Sequence, residues 1–286
     1  MALRDLLVHL DHTQAGALRL RLAAALAVRH QARLVVLHVR ERTGSQVRQM
    51  KSAELGLMPS AEMERFDREI VKTLDDEASR LEELTRQVRA EFNLDTEWRS
   101  VAGSPGTVVP QQGRYADLVI VGHDGSSLDA LSANYTLAET TLFLTGRPVI
   151  LVPVSATAPV LGHRIALAWN GSRPAARALA DALPLIEKCA SITVLIVNQA
   201  TLGRPGAIEV DAIAANLARH CPVVDVSSLE VPEGSIGDAL QVRALEVGAD
   251  LLVAGAYGHP RLWEKLLGGV TRDMLARTML PILMSH

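Results

Sequence analysis

The sequence predicts an α/β protein: two tandem, doubly wound domains, each a five-stranded parallel sheet covered by helices, packed together as an intrachain pseudo-dimer. Three observations predict it. The chain repeats itself internally, and short, nearly continuous apolar runs alternate with amphipathic helical stretches. Its 286 residues also suit two domains at ~150 residues each.

The repeat sets the boundaries. Ala116-Asp117-Leu118-Val119-Ile120-Val121-Gly122 returns as Ala249-Asp250-Leu251-Leu252-Val253-Ala254-Gly255, and Gly125 and Pro148 return as Gly258 and Pro281. Asp5 to Asp11 lies over Arg164 to Asn170, and Ala32 to Val39 over Ala190 to Val197. Matched segments are farther apart before Val39 than after Val101, so the first half carries an insertion, about 41–92. The halves are residues 1–155 and 163–286, joined by an Ala/Thr/Pro linker around Ala156–Pro159.

Strands are expected at Leu6–Val8, Leu34–Val39, Thr96–Val101, Leu118–Val121 and Val149–Val152, then at Ile165–Trp169, Ile192–Val197, Val223–Val226, Leu251–Ala254 and Ile282–Met284. These runs are too short for helices and are mostly bounded by polar or turn residues. Runs that are apolar on both faces belong to a parallel sheet buried on both sides. Helical patterns such as Ala17–Val28 fill the intervals. The insertion reads as one long helix from about Ala61 to Glu91, with Ile70, Leu74, Ala78, Leu81, Leu84 and Val88 as its apolar stripe. Glu64–Arg68 and Glu82–Arg86 are i,i+4 pairs on its polar side. It is expected to pack on its own domain, and its outer face is a candidate surface for a protein partner. The last strand of each half follows a proline and would leave an open sheet edge. Pairing Val149–Val152 antiparallel with Ile282–Met284 covers both edges and makes the pseudo-dimer. A further homodimer of the whole chain stays open.

Composition excludes several classes. There are nine aromatics, three each of Phe, Tyr and Trp, too few for a base-stacking platform. With 29 basic and 32 acidic residues, net charge −3 and no long basic run, nucleic acid is not the expected partner. Asp5 and Asp11 bracket the short apolar start, which is no signal peptide, and no run reaches the ~20 apolar residues of a membrane span. Cys189 and Cys221 lack CxxC spacing and read as free thiols in a reducing cytosol, so a cytoplasmic location is expected.

In open parallel sheets ligands sit beyond the strands' carboxyl ends, where strand order reverses. The loops to inspect therefore follow the first and fourth strands of each half. In the second half these include Gly255-Ala-Tyr257-Gly258-His-Pro and Leu266-Leu-Gly268-Gly269-Val270-Thr271-Arg272. Gly255 and Gly258 either let backbone approach a ligand without a Cβ between or serve only a tight turn and close helix packing. Gly268 and Gly269 precede the helical stretch Val270–Thr278, whose first N–H groups would face an anion. The pattern is a phosphate cradle without a Walker lysine. G-x-G-x-x-G, G-x4-G-K-[ST] and H-E-x-x-H are all missing from the sequence.

Gly255-x2-Gly258-x9-Gly268 resembles the nucleotide-binding signature of the universal stress protein family, G-2x-G-9x-G followed by Ser or Thr. Ala168-Trp169-Asn170-Gly171-Ser172 and Val194-Leu-Ile-Val197-Asn198 resemble the ends of the family's first and second strands, and the resemblance extends over both halves. It implies an adenine nucleotide α-hydrolase-like, Rossmann-like fold and a cytoplasmic stress-response role through binding of ATP, with or without Mg²⁺. Val197 would meet adenine through its backbone, with Asn170 beside base or ribose. Gly255 and Gly258 would line ribose and phosphates, and Gly268, Gly269 and Val270 would donate backbone N–H groups to phosphate. The sequence departs from the signature at Gly269, where the family has Ser or Thr, and at Asn170, where Asp is usual. Each departure would weaken binding by ~1 kcal/mol. At most slow hydrolysis is implied, with no catalytic base or nucleophile in view.

The first half keeps Gly122 and Gly125 but has Tyr135 in place of the third glycine, so no ATP is expected there in the family manner. It offers Asp11, His12, His123 and Asp124 after its first and fourth strands. These residues read either as a metal or proton-transfer site or as loop polarity with helix capping. His9 and His38, interior to strands, are expected to be satisfied buried histidines. Ser104 and Ser235, each in a recurring Gly-Ser segment, read as N-caps. Trp169, Tyr257 and Trp263 border the predicted pocket, either to wall a ligand or to fill its space. A scaffold that uses the same fold without nucleotide is the alternative function.

Overall fold

All ten expected strands form in the computed structural model, and they join into one sheet. The structure describes residues 2–41, 60–123, 136–156, 160–197, 210–231, 234–256 and 269–286. The linker residues 157–159 and insertion residues 42–59 lie outside the described residues. The strands are β1 (Asp5–His9), β2 (Arg33–Arg40), β3 (Thr96–Ala102), β4 (Leu118–His123), β5 (Val149–Pro153), β6 (Arg164–Ala168), β7 (Ser191–Val197), β8 (Val224–Leu229), β9 (Leu251–Gly255) and β10 (Ile282–Ser285). Their order is β3-β2-β1-β4-β5-β10-β9-β6-β7-β8, so the second half repeats the first in mirror sequence across the centre. Every pair is parallel except the central one. The strands run past their expected bounds by a residue or two, and β8 by three at its end, while two ends are trimmed: β6 stops at Ala168, leaving Trp169 in the loop, and β8 starts one residue after Val223.

The helices are α1 (Gln14–His30), α2 (Ser60–Phe92), α3 (Pro105–Gly113), α4 (Leu137–Leu144), α5 (Arg173–Ile186), α6 (Val210–Leu217), α7 (Ile236–Glu246) and α8 (Gly269–Ala276). Successive strand residues face opposite sides of a sheet, and two cores follow from that alternation. One takes Leu6, Val8, Val36 and Ile120 from strands, with Leu20 and Ala24 of α1, Leu81 and Val88 of α2, and Leu179 and Leu217 of α5 and α6. The other takes Leu7, Val35, Val119 and Val121, with Val109 of α3, Leu142 of α4, Leu240 of α7 and Met274 of α8. The result is three layers, helix–sheet–helix.

The centre of the sheet is the expected seam. Ile282 pairs with Leu151, Leu283 with Ile150 and Met284 with Val149, antiparallel. All six residues are fully buried, so what would be two open edges becomes interior. Further bonds cross between the halves: Arg29 Nη2 donates to Leu161 O at 2.6 Å, and Lys188 Nζ donates to Arg29 O at 2.6 Å. The repeated Ala-Asp pair also has a physical role. Asp117 accepts from the backbone N–H groups of Arg4 (2.7 Å) and Asp5 (3.0 Å), and Asp250 does the same for His163 and Arg164. Each aspartate thus fixes the start of its half's first strand beside the fourth.

Helix α2 packs on α1, β2 and β3 of its own half. Ile70, Leu81 and Val88 are buried, and Leu74, Ala78 and Leu84 are half-buried, as the stripe predicts. On the polar side Glu64 and Arg68 sit 3.6 Å apart. Arg86 pairs with Glu83 rather than Glu82, because an i,i+3 neighbour also lies on the same face. Among the described residues no helix is long and apolar enough to cross a membrane.

Candidate functional site

In the second half β6 lies between β7 and β9, so the connections leaving β6 and β9 diverge at its carboxyl end. That is the switch point where parallel sheets take ligands. The loop after β6 is built by its own polar groups. Asn170 Oδ1 accepts from the Ser172 N–H at 3.0 Å, and Gly171 takes the left-handed conformation (φ 67°) that other residues resist. Ser172 Oγ then accepts from the Ala175 N–H at 3.3 Å, capping α5, and a proline occupies that helix's first turn. The first half has the same construction with an acid: Asp11 Oδ1 accepts from the Thr13 N–H at 3.0 Å, and Thr13 Oγ1 accepts from the Gly16 N–H at 2.9 Å. Asn170 therefore does the turn-building work of the usual aspartate without its charge.

Around that loop stand the other predicted residues. Val197 ends β7, opposite Leu229, and is half-buried against the core on the α7 and α8 side. Trp169 donates its backbone N–H to Leu195 O at 2.9 Å, and its side chain is half-buried against the other core, on the α5 and α6 side. Gly255 ends β9 under the first turn of α5. A Cβ there would come within 2.5 Å of Ala175 N and 2.6 Å of Pro174 O, so only glycine lets helix and strand meet. Gly269 opens α8, with Val270 next to it, and among the described residues a Cβ at Gly269 would meet nothing within 4 Å. Because α8 connects two parallel strands, its amino end lies at their carboxyl edge, where first-turn N–H groups lack intrahelical partners and the helix dipole is positive. Gly258, Gly268, Tyr257 and Trp263 lie outside the described residues.

Ser235 does more than the capping read from the sequence. Its Oγ accepts from the Asp238 N–H at 3.0 Å and donates to Asp273 Oδ2 at 2.8 Å, tying the start of α7 to α8. Gly237 lets the two helices close, since a Cβ there would stand 2.8 Å from Val270 O. The signal in the sequence was the repeated Gly-Ser segment, but nothing in it named Asp273 as the partner.

The first-half switch point is filled by the chain itself. Arg19, on the apolar side of α1, is almost wholly buried, with 1% of its surface exposed. Its Nε donates to His9 O at 2.9 Å and its Nη2 to Asp11 Oδ2 at 2.6 Å. The guanidinium lies against Gly122, where a Cβ would come 2.9 Å from Arg19 Cζ. Burial works to raise the Asp11 carboxyl, but the Arg19 charge and the bonds from Thr13 and Arg19 outweigh it and hold it below its ordinary value. Sequence reasoning missed Arg19, although a basic residue between Gly16 and Leu20 on an apolar helix face was the available signal.

Among the described residues the suspected acid–histidine cluster does not assemble. His12 turns out to Glu77 of α2, 3.0 Å away, while His123 Nε2 points to Leu275 O at the end of α8. Asp11 is engaged by Arg19, and Asp124 lies outside the described residues. Among the described residues no group of three His, Cys, Asp or Glu could hold a metal ion. His38 Nδ1 bonds Leu10 O at 3.2 Å and its ring stacks on Trp98, but among the described residues its Nε2, like His9 Nδ1, is buried with no hydrogen-bond partner, so neither strand histidine is fully satisfied.

His9 makes stability sensitive to acid. Burial, reinforced by the Arg19 charge, pushes its imidazole down to about 4 from 6.5. Below pH 6.5 the unfolded chain takes up a proton that the folded protein refuses until about pH 4, so stability falls across that window. The expected loss from His9 is up to about 3 kcal/mol. His30, also pushed down to about 4 by burial and by Arg29 and Lys188, acts in the same direction. Urea midpoints should be level above pH 7 and fall steadily towards pH 4; a level midpoint throughout contradicts this.

No family model and no curated protein matches the sequence. Solved structures match over both halves. A universal stress protein from Archaeoglobus fulgidus superposes with a TM-score of 0.68 at 17% identity, covering 98% of this chain and 95% of that one. A protein of unknown function from Pseudomonas aeruginosa gives 0.59 at 15% identity over 99% and 92% of the two chains. A second Pseudomonas aeruginosa protein, provisionally named a universal stress protein, gives 0.58 at 15% over 99% and 93%. At these identities the likeness is one of fold: the chain has the tandem universal stress protein fold.

Proposed function

We propose that the chain is a tandem universal stress protein that binds an adenine nucleotide, ATP with or without Mg²⁺, in the cleft of its second half. It acts in a cytoplasmic stress response through ligand-dependent stabilisation or choice of partner. The observation that carries this reading is the switch point itself: β6 lies between β7 and β9, α8 starts at Gly269 on the same carboxyl edge, and no described residue would meet a Cβ at Gly269. Gly269 and Val270 offer N–H groups to phosphate, together with Gly268. Gly255 and Gly258 line the sugar and phosphates, and Val197 and Asn170 flank the base and ribose. The bound nucleotide supplies the negative charge that the α8 dipole favours. In the first half the buried Arg19 side chain fills the space against Gly122 with its charge taken up by Asp11, which favours binding by the second half alone. At most slow hydrolysis accompanies binding.

Calorimetry with Mg-ATP tests the reading. Because no described residue stands where a side chain at Gly269 would go, Gly269→Ser restores the family hydroxyl and should tighten binding about five-fold, the worth of ~1 kcal/mol. Absence of heat from the wild-type protein overturns the reading. It would favour the second one, a nucleotide-free scaffold that engages proteins through the outer face of α2. That reading draws on two facts: Asn170 Oδ1 is already used by the Ser172 N–H, and Trp169 packs on the core.

A further inference from the structure

Cys189 and Cys221 are 32 residues apart in sequence, yet their sulfurs lie 3.3 Å from each other. Cys189 sits in the turn after α5, its N–H bonded to Ile186 O at 3.2 Å, and Cys221 in the turn after α6, its N–H bonded to Leu217 O at 2.9 Å. Both are buried in the core beneath those helices, with 7% and 3% of their surfaces exposed. Cys221 Sγ–H donates to Val223 O at 3.2 Å, and Val223 O also accepts from the Ile192 N–H at 2.9 Å. One thiol is therefore held on the backbone that joins β7 to β8. Beside the sulfurs, Glu187 Oε1 and His220 Nδ1 stand 3.4 Å apart, a second tie between the same two turns. Two adjacent ties thus hold the turns together, with the sulfurs in van der Waals contact, about 1.3 Å beyond the ~2.04 Å of a covalent bond.

We propose that Cys189 and Cys221 form a site of reversible oxidation, a buried dithiol that low-molecular-weight disulfides or peroxide convert to an intrachain disulfide. With a disulfide oxidant, one protein thiolate attacks and displaces one small thiol. The second protein sulfur then displaces the other, so two S–H bonds are exchanged for one S–S bond and two reduced small thiols leave. With hydrogen peroxide the same two hydrogens leave in two molecules of water. The reduced pair is guarded in its resting state. Burial, and then the hydrogen bond and charge of Cys221, push the Cys189 thiol up to about 12, which suppresses the thiolate. Oxidation therefore requires a small oxidant or a local opening, and responds to sustained oxidant rather than to brief exposure. The bridge would close the stretch that holds β7 and α6, fixing one wall of the second-half cleft. The dithiol itself does not depend on nucleotide being bound.

The test uses the full chain, purified under reductant, freed of it, and incubated with oxidised glutathione or with hydrogen peroxide. Expected are a mass loss equal to two hydrogens, a cross-linked peptide joining Cys189 to Cys221, and a thermal midpoint about 5–10 °C higher that dithiothreitol returns to its starting value. Cys221→Ser should abolish the mass loss. Two thiols still titratable after treatment and denaturation overturn the proposal, as does a protein carrying glutathione or sulfinic acid without the bridge. A bridge that leaves the midpoint unmoved overturns the tethering of β7 and α6.

Discussion

Leu283→Asp is expected to lower stability by about 5 kcal/mol, or to prevent folding altogether. Leu283 is fully buried at the centre of the seam, opposite Ile150, and β5 and β9 flank its strand. The substitution removes the transfer energy of a leucine and places a carboxyl where no water reaches. The carboxyl must either stay ionised at high cost or take up a proton and still lack partners. Leu283→Ala separates packing from charge, at an expected ~3 kcal/mol with the fold retained. Urea unfolding of both variants measures the difference. An aspartate tolerated within 1 kcal/mol would mean that the two halves do not meet along this strand.

Gly255→Ala should cost ~3 kcal/mol and abolish nucleotide binding, although it adds a single methyl group. The new Cβ would press on Ala175 N and Pro174 O, atoms of the helix backbone that no rotamer change can move. The first turn of α5 would have to lift off β9, carrying Ser172 and Asn170 with it and opening the cleft. Gly122→Ala, at the matching position of the first half, is the internal control. There the obstacle is the far end of Arg19, a side chain with several rotatable bonds, so ~1 kcal/mol is expected. Denaturation of the two variants, and calorimetry of the first with Mg-ATP, checks the contrast. Equal costs would contradict the difference between the two clefts.

Much of the fold was legible because it rests on local patterns. Leu34–Val39 and Leu118–Val121 announced buried parallel strands by composition, and the Ala-Asp repeat marked the halves. The seam followed from asking what covers the edges at Val149 and Ile282. Of the candidate site, the switch point was legible, since β6 lies between β7 and β9 whichever residues fill the loops; the loop after β9 lies outside the described residues. What escaped was pairwise contact between remote side chains. Nothing in periodicity brings Ser235 to Asp273, His123 to Leu275 or Cys189 to Cys221, since each pairing depends on how two turns land after the sheet is built. Arg19 escaped because its length lets a charge reach from a helix face to the end of β4. Glu82 was the expected partner of Arg86 and Glu83 is the one found, because i,i+3 and i,i+4 spacings are both allowed on a helix.

Joining β5 to β10 within one chain also changes what each half is free to become. In a dimer of identical chains the contact is isologous: every substitution at the interface appears twice and must suit its own copy. Here Ile150 faces Leu283 and Val149 faces Met284, so each side can change alone. His123 reaches Leu275 from the first half, while the position that repeats it in the second half is Ala256, a contact with no symmetry mate. The covalent link also holds the two edges at a high effective concentration whatever the protein concentration. One half could therefore give its cleft over to Arg19 and serve as a permanent partner, while the other kept its glycines.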